Sequence, residues 1–251
     1  RGRGDLARGR PGRGAGPAWR GAGLKAELGL GDSAGPMGDG GAFMASELRV
    51  DRADLAGHLR QLDGARNLIA ITGAPGSGKS HLAAELAAAL NAAAPGSAAV
   101  MAMDGFHQSN DWLDARDLRA RKGAPETFDV AALAECLTQL RAGTSDVAVP
   151  GFDRAADAVV PAASTIPQTT RFVLVEGNYL LLARPGWIDL APLFDLTIRL
   201  AVPEAALRAR LAARWADLPP EEARRRIEEN DLPNGRLLTR EARAADFRVL
   251  G

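Results

Sequence analysis

The chain of 251 residues has a single cysteine, Cys136, so it can form neither an internal disulfide nor a cysteine-based metal site. The sequence around Cys136 is apolar with helical spacing, which favours a buried small side chain over a reactive thiol. No apolar run approaches the roughly 18 residues that a transmembrane helix needs. The amino-terminal residues also lack the apolar core of a secretory signal, so we expect a cytoplasmic protein.

Neither sign of charge is in excess, because 31 Lys and Arg residues balance 31 Asp and Glu residues. This balance gives no reason to expect a nucleic acid or an anionic membrane as a partner. Hydrophobic residues at 46% and charged residues at 25% are ordinary values for a globular protein. The length fits one α/β domain with some additional sequence. A homodimer is left open.

Residues 1–45 differ in composition from the rest of the chain. They hold 14 of the 28 glycines and an Arg-Gly run, so they cannot bury enough apolar surface to offset the entropy of ordering. We predict a disordered tail at 1–45 and a folded domain at 46–251. Met37 and Met44 precede the first patterned segment, which favours an overlong gene start or added sequence. An RNA-binding arm is the alternative, and it predicts that deletion of residues 1–43 abolishes function.

Strands and helices alternate along the predicted domain. Ser46–Leu62 has apolar residues at helical spacing, with Ser46 as the N-cap. Further helices are predicted at Lys79–Ala93, Asp129–Ala142 and in two Arg-rich stretches across Pro203–Glu229, and strands at Asn67–Thr72, Ser97–Met103, Asp146–Phe152, Ala158–Thr165, Arg171–Val175, Phe194–Val202 and Ala245–Leu250. This alternation predicts a three-layer α/β fold, in which helices cover both faces of a parallel sheet.

One segment matches the phosphate-binding pattern G-x-x-x-x-G-K-[ST], and it lies between a predicted buried strand and a long helix. Its residues are Gly73, Ala74, Pro75, Gly76, Ser77, Gly78, Lys79 and Ser80, followed by His81 as a further candidate for nucleotide contact. Glycines let backbone N–H groups approach phosphate oxygens, and the helix N-terminus adds its positive dipole end. We predict that Lys79 contacts the β- and γ-phosphates of ATP and that Ser80 coordinates Mg²⁺.

Two carboxylates follow predicted strands. The apolar run Phe172–Val175 ends at Glu176, which takes the place of the carboxylate that holds Mg²⁺ or its water shell. The second strand ends in Met103-Asp104-Gly105-Phe106-His107. Asp104 there can accept the proton of an attacking hydroxyl, while Gly105 leaves room for a substrate. The alternative is that Asp104 only caps the following loop.

Five segments together resemble a known superfamily. GAPGSGKS, MDGFH, KGAPETFD, VPGFDR and VEGNYLLL are similar to the uridine kinase, phosphoribulokinase and bacterial pantothenate kinase superfamily, above all to its bacterial branch of nucleoside/nucleotide kinase-like or fructose-transport-system kinases. The resemblance covers Met44–Gly251 nearly end to end. It implies a kinase-type P-loop NTPase fold with an Arg-rich helical lid near 203–235. It also implies ATP-dependent phosphorylation of a small-molecule hydroxyl by direct in-line transfer.

The resemblance implies roles for individual side chains. Asp104 matches the catalytic base and substrate anchor, and Phe152-Asp153 matches the pair that lines the acceptor pocket. In the lid, Arg210 and Arg214 match residues that close over the ATP phosphates, while at least one of Arg208, Arg210 and Arg214 is expected to face solvent. His107, Glu126 and Tyr179 are further acceptor candidates, and no role is assigned to Asn178, Asn230 or Asn234.

One departure from the family bears on the substrate. Uridine kinases have Asn-Phe-Asp-His-Pro-Asp-Ala-Phe-Asp where this chain has residues 121–129, so Gly123-Ala124 replaces the Asp-His pair that helps to grip the nucleoside. This replacement favours a sugar or polyol acceptor over uridine. The rival hypothesis is an ATP-binding regulatory module for a transporter or transcription partner. Asp104 and the lid arginines count against it, because a switch needs no acceptor-side base.

Overall fold

A computed structural model describes residues 47–251, so the predicted tail at 1–45 and the predicted N-cap Ser46 lie outside the described residues. The strands are β1 (Leu48–Arg49), β2 (Asn67–Gly73), β3 (Ala98–Ala102), β4 (Val147–Asp153), β5 (Ala158–Ile166), β6 (Phe172–Glu176), β7 (Leu196–Ala201) and β8 (Phe247–Leu250). Six of them form one sheet in the order β1-β8-β7-β2-β6-β3. Every pairing in that sheet is parallel.

Helices connect these strands. They are α1 (Leu55–Arg60), α2 (Lys79–Ala93), α3 (Asn110–Asp114), α4 (Val130–Ala142), α5 (Glu204–Arg214), α6 (Pro220–Arg225) and α7 (Leu232–Glu241). Short 3₁₀ turns lie at Arg52–Asp54, Met103–Phe106, Arg119–Arg121, Pro125–Thr127 and Ile188–Leu193, and a π-helical segment at Arg226–Asp231 joins α6 to α7. Across residues 47–251, no helix has both the length and the apolar character needed to cross a bilayer.

The central strand β2 divides the core into two layers. All seven of its residues are buried, because β6 and β7 flank it on both sides. Alternate side chains of a strand point to opposite faces, so Leu68 and Ala70 enter one apolar cluster while Ile69 and Ile71 enter the other. Helices cover both clusters, which confirms the three-layer α/β fold.

The predicted helix from Ser46 to Leu62 is wrong over its first half. Leu48 and Arg49 form strand β1, and the α-helix begins only at Leu55. The N–H of Leu48 donates to Asp246 O and that of Val50 to Arg248 O, both at 3.0 Å. These partners lie far away in the sequence. Because local spacing carries no information about them, the pattern alone favoured a helix.

The segments β4 and β5 are strands, as predicted, but they form a separate antiparallel pair outside the parallel sheet. This hairpin packs on the 3₁₀ turn Met103–Phe106 that follows β3. A Cβ atom on Gly105 would overlap with Pro150 O. The backbone of β4 therefore fills the space beside Gly105, and the prediction that this space admits a substrate is wrong.

We expect Gly105→Ala to destabilise the protein, because the added methyl group meets backbone atoms that cannot rotate away. Overpacking of this kind costs about 1–3 kcal/mol of unfolding free energy, which urea denaturation would measure. Gly57→Ala is the matched control, since a Cβ atom at Gly57 in α1 meets nothing within 4 Å. That variant should be as stable as the original chain or more stable, by up to about 1 kcal/mol. Equal stability of the two variants would contradict the proposed close packing.

Candidate active site

The predicted phosphate loop joins β2 to α2 at the carboxyl edge of the sheet. Gly76 and Gly78 adopt left-handed backbone conformations, with φ of 76° and 97°, which side chains rarely tolerate. Gly78 is the N-cap of α2, so the helix starts at Lys79. The Oγ atom of Ser77 is buried and has no hydrogen-bond partner in the described part of the chain. An unpaired buried donor beside a helix N-terminus suits a phosphate oxygen.

Lys79 is buried beneath this loop, and its Nζ donates to Ala74 O at 3.3 Å. Burial lowers the pKa of Lys79, and the carboxylates of Glu176 and Asp104 partly raise it again. Arg214 and Arg154 oppose that increase. A desolvated ammonium group surrounded by further charges is well placed to hold an anionic ligand.

Ser80 and Glu176 form a pair of oxygen ligands at the foot of the loop. Ser80 Oγ donates to Glu176 Oε1 at 2.9 Å. Burial raises the pKa of Glu176, and Lys79 opposes the increase. Hydroxyl and carboxylate oxygens are the donors that Mg²⁺ prefers. Residues 47–251 contain no group of three or more His, Cys, Asp or Glu side chains that could hold a metal.

Asp104 lies on the same edge of the sheet, in the 3₁₀ turn after β3. Its Oδ2 accepts a hydrogen bond from Arg154 Nη2 at 3.1 Å, and 29% of its side chain is exposed. The carboxylate is therefore accessible to a small molecule.

His107 stands directly beside Asp104. Its Nδ1 lies 2.8 Å from the carbonyl oxygen of Asp104, which can only accept, so the Nδ1 atom carries the proton. Burial lowers the pKa of His107, so the ring is neutral at neutral pH and Nε2 is an acceptor. The ring packs 4.0 Å from that of Phe128 and 4.8 Å from that of Phe152. His107 and Phe152 thus pack together beside Asp104.

Two predicted acceptor contacts already have partners in the structure. Glu126 pairs with Arg121 at 2.8 Å, in an exposed position. Asp153 Oδ1 accepts from the N–H groups of Ala155 and Ala156, at 2.8 and 3.0 Å, and so stabilises the hairpin turn. Neither carboxylate joins Asp104 in this conformation, because each serves the backbone or a surface pair.

Tyr179 does not reach a substrate, contrary to the prediction, because it has no exposed surface. Its hydroxyl donates to Gly123 O at 2.7 Å, and its ring packs edge-on against those of Phe128 and Trp187. Tyr179 therefore supports the loop around Gly123 from within the core.

His81 also differs from its predicted role. Its side chain is 72% exposed and lies 3.0 Å from Glu85 on the outer face of α2. The imidazole therefore faces away from the phosphate loop.

The predicted lid arginines have three different environments. Arg210 Nη1 donates to Ser77 O at 3.1 Å, so it fixes α5 against the loop backbone rather than facing the phosphates. Arg208 pairs with Glu228 and Glu204. Desolvation lowers the pKa of Arg214, and the nearby Arg154 lowers it further. Arg214 is thus the lid arginine that shares the charged environment of Lys79.

Sequence reasoning assigned no role to two residues that lie beside the site. Arg154 contacts Asp104, and Lys122 Nζ donates to Asn110 Oδ1 and pairs with Asp157, at 2.7 and 2.8 Å. Lys122 therefore joins the loop before Gly123 to the hairpin. Both residues belong to the segments KGAPETFD and VPGFDR, so their position within those motifs was an available signal.

The lid also contacts the loop that carries Lys122. Asn230, in the π-helical segment, donates from Nδ2 to Lys122 O at 2.9 Å, and Asn234 Nδ2 donates to Asn230 Oδ1 at 3.1 Å. Trp215 Nε1 donates to Asp231 Oδ2 at 2.8 Å. These contacts give Asn230 and Asn234 roles that no pattern indicated. They link the helices of the predicted lid to the loop that carries Lys122 and Gly123.

A cavity of about 330 Å³ opens on the other side of the phosphate loop. It is lined by Gly73 and Ala74 of the loop, by the ends of β7 and β8, and by α5 and α7. Since β2 lies between β7 and β6 in the sheet, this cavity and Asp104 occupy opposite flanks of the loop. One ligand can therefore approach from each side.

Comparison with known proteins agrees with this arrangement. A family model described as "Phosphoribulokinase / Uridine kinase family" matches residues 68–211, more than half of the chain. The uncharacterised protein YggC of Escherichia coli is 41% identical over 59% of this chain and 62% of its own length, so less than two thirds of that relative is spanned. A candidate uridine kinase of Schizosaccharomyces pombe is 40% identical over 67% of this chain and 76% of its own.

The fold is also shared with a solved structure. The crystal structure of a candidate fructose transport system kinase from Silicibacter sp. superposes with a TM-score of 0.74 and 44% identity, covering 78% of this chain and 98% of that one. The matched family model includes β2, the phosphate loop, Asp104 and Glu176, which the structure brings to one edge of the sheet. This chain therefore belongs to the phosphoribulokinase / uridine kinase family of ATP-dependent small-molecule kinases.

Proposed function

We propose that this protein transfers the γ-phosphoryl group of ATP to a hydroxyl group of a small sugar or polyol. The observation that carries the proposal is the position of Asp104, an accessible carboxylate on one flank of the phosphate loop. Its charge acts on Lys79 and Glu176, so the three groups share one electrostatic site. A carboxylate so placed suits a base for an incoming hydroxyl.

The nucleotide would occupy the loop and the cavity beside it. The phosphates fit the backbone of Gly73–Ser80, where Ser77 Oγ lacks a partner in the described residues. The nucleoside fits the cavity at the ends of β7 and β8. Ser80 and Glu176 would hold Mg²⁺, which when bound neutralises charge on the β- and γ-phosphates. This placement leaves the Asp104 flank free for the acceptor.

Transfer then needs no covalent enzyme intermediate. Asp104 accepts the proton of the acceptor hydroxyl as its oxygen attacks the γ-phosphorus. The new oxygen–phosphorus bond forms while the bond from the γ-phosphorus to the bridging oxygen breaks, and ADP leaves. Lys79 and Arg214 offset the charge on the moving phosphoryl group, and Arg210 holds α5 in place through Ser77 O.

The loop around Gly123 supports a sugar or polyol over a nucleoside. Gly123 has a φ of 99°, and its N–H and carbonyl groups bond to Thr127 Oγ1 and the Tyr179 hydroxyl. This backbone conformation disfavours the Asp-His pair that uridine kinases carry at Gly123-Ala124. Efficient phosphorylation of uridine or cytidine would overturn this substrate preference while leaving the kinase mechanism intact.

Lys79→Ala should remove activity without unfolding the protein. The loss of the charge that clamps the phosphates should lower the rate by about 10³-fold or more. Steady-state ADP release in the presence of acceptor would measure the change, and circular dichroism would confirm the fold. Arg60→Ala, which removes an exposed charge from α1, is the control and should retain activity. Near-normal turnover by the Lys79 variant would disprove the kinase proposal.

Asp104→Asn should lower kcat by about 10²–10⁴-fold, because the amide keeps the shape but cannot take the hydroxyl proton. ATP binding should change little, since Asp104 lies on the acceptor flank. Acceptor-dependent ADP formation and nucleotide titration would measure the two effects separately. Asp114→Asn, which alters an exposed surface pair with Arg119, is the control. A wild-type kcat for Asp104→Asn would eliminate the mechanism, and ADP release that no acceptor accelerates would favour a nucleotide switch instead.

A further inference from the structure

The guanidinium group of Arg154 is hydrogen-bonded to Asp104, the proposed catalytic base. Its Nη2 lies 3.1 Å from Asp104 Oδ2, and 60% of the Arg154 side chain is exposed. An acceptor hydroxyl that gives its proton to Asp104 must approach this same carboxylate. Arg154 and the acceptor hydroxyl therefore compete for the Asp104 carboxylate.

The fold places the backbone of Arg154 close to Asp104. Asp153 Oδ1 binds the N–H groups of Ala155 and Ala156, which fixes the turn that Arg154 begins. In the strand before this turn, the backbone of Pro150 packs against Gly105, the neighbour of Asp104. The base and the backbone of Arg154 are thus rigidly related, while the long side chain is exposed and able to move.

Three other cations on this flank have carboxylate partners that take no part in the proposed reaction. Lys122 pairs with Asp157, and Arg121 pairs with Glu126. Arg119 pairs with Asp114 and lies 4.0 Å from Asp157. Arg154 differs from these three because its partner is the base itself.

A neutral acceptor has no anionic group that could displace Arg154 from Asp104. Exposed ion pairs are held only weakly, so a competing anion can displace one. The planar guanidinium fork binds carboxylate and phosphate groups through two parallel hydrogen bonds, which a hydroxyl cannot match. An acceptor with its own anionic group would bind Arg154 and leave Asp104 free for the hydroxyl.

We propose that the acceptor carries a carboxylate or phosphate group as well as the reacting hydroxyl, and that Arg154 recognises this group. The inference rests on the proposed function, whose base is Asp104. A short hydroxy acid or a sugar phosphate carries both groups.

Binding can be tested without turnover, by calorimetric titration of protein loaded with a non-hydrolysable ATP analogue. Two matched series serve as probes: glycerol, glycerate and glycerol 3-phosphate, and glucose, gluconate and glucose 6-phosphate. We expect at least one anionic probe to bind about 10-fold or more tightly than its neutral counterpart. The preference between carboxylate and phosphate members identifies which anion the site takes.

Variants of Arg154 and Asp104 test whether Arg154 causes the preference for anionic probes. Arg154→Gln should weaken binding of the preferred anionic probe by about 10- to 100-fold and leave neutral probes unchanged, and Arg154→Lys should lose less. Asp104→Asn should bind the anionic probe several-fold more tightly, because Arg154 loses its competing partner. Arg116→Gln is the control, since the Arg116 guanidinium lies over the Trp112 ring in the same region and donates to Trp112 O.

Several results would overturn the proposal. Equal binding of neutral and anionic probes would do so, as would anion binding that Arg154→Gln does not weaken. Weaker binding of the ATP analogue to Arg154→Gln, with acceptor probes unaffected, would assign Arg154 to the nucleotide instead. A probe that binds through Arg154 but is never phosphorylated would uphold the anion site and count against the proposed kinase reaction. Failure of the proposed anion site can therefore be distinguished from failure of the proposed kinase reaction.

Discussion

The register of three neighbouring strands determines where every other part of the site lies. In the parallel sheet, Ile71 of β2 pairs with Glu176 of β6, and Glu176 pairs in turn with Ala102 of β3. The phosphate loop starts two residues after Ile71, and Asp104 lies two residues after Ala102. The sheet therefore brings the phosphate loop, Glu176 and Asp104 to one edge, although they lie far apart along the chain.

Around that edge, the fold keeps charged groups partly desolvated. Lys79 and Glu176 are buried, and burial moves the pKa of each towards its neutral form while their mutual attraction opposes the shift. Bound nucleotide would bring additional negative charge to Lys79, which would favour the charged form of its ammonium group. Arg154 of the hairpin and Arg214 at the end of α5 add positive charge near Lys79.

Local sequence patterns predicted the parts of this structure that depend on neighbouring residues. The helix Lys79–Ala93 has the predicted bounds, and the strand pattern that ends at Glu176 placed it beside Ser80, as observed. Patterns failed where the partner is distant: Leu48 pairs with a strand some two hundred residues away, and Gly105 is small because Pro150 lies against it. The position of Tyr179 within its motif likewise did not reveal that its side chain is buried.

The π-helical segment Arg226–Asp231 has a consequence for how the helices that follow β7 contact the two flanks of the phosphate loop. A π turn amounts to one extra residue in an α-helix, and each residue rotates a helix by about 100°. Gly235 of α7 packs against Ala74 of the phosphate loop, whereas Asn230 reaches the carbonyl group of Lys122. Deletion of that one residue would turn these two faces out of alignment. A single inserted or deleted codon in this segment would thus change which face of α7 meets the phosphate loop.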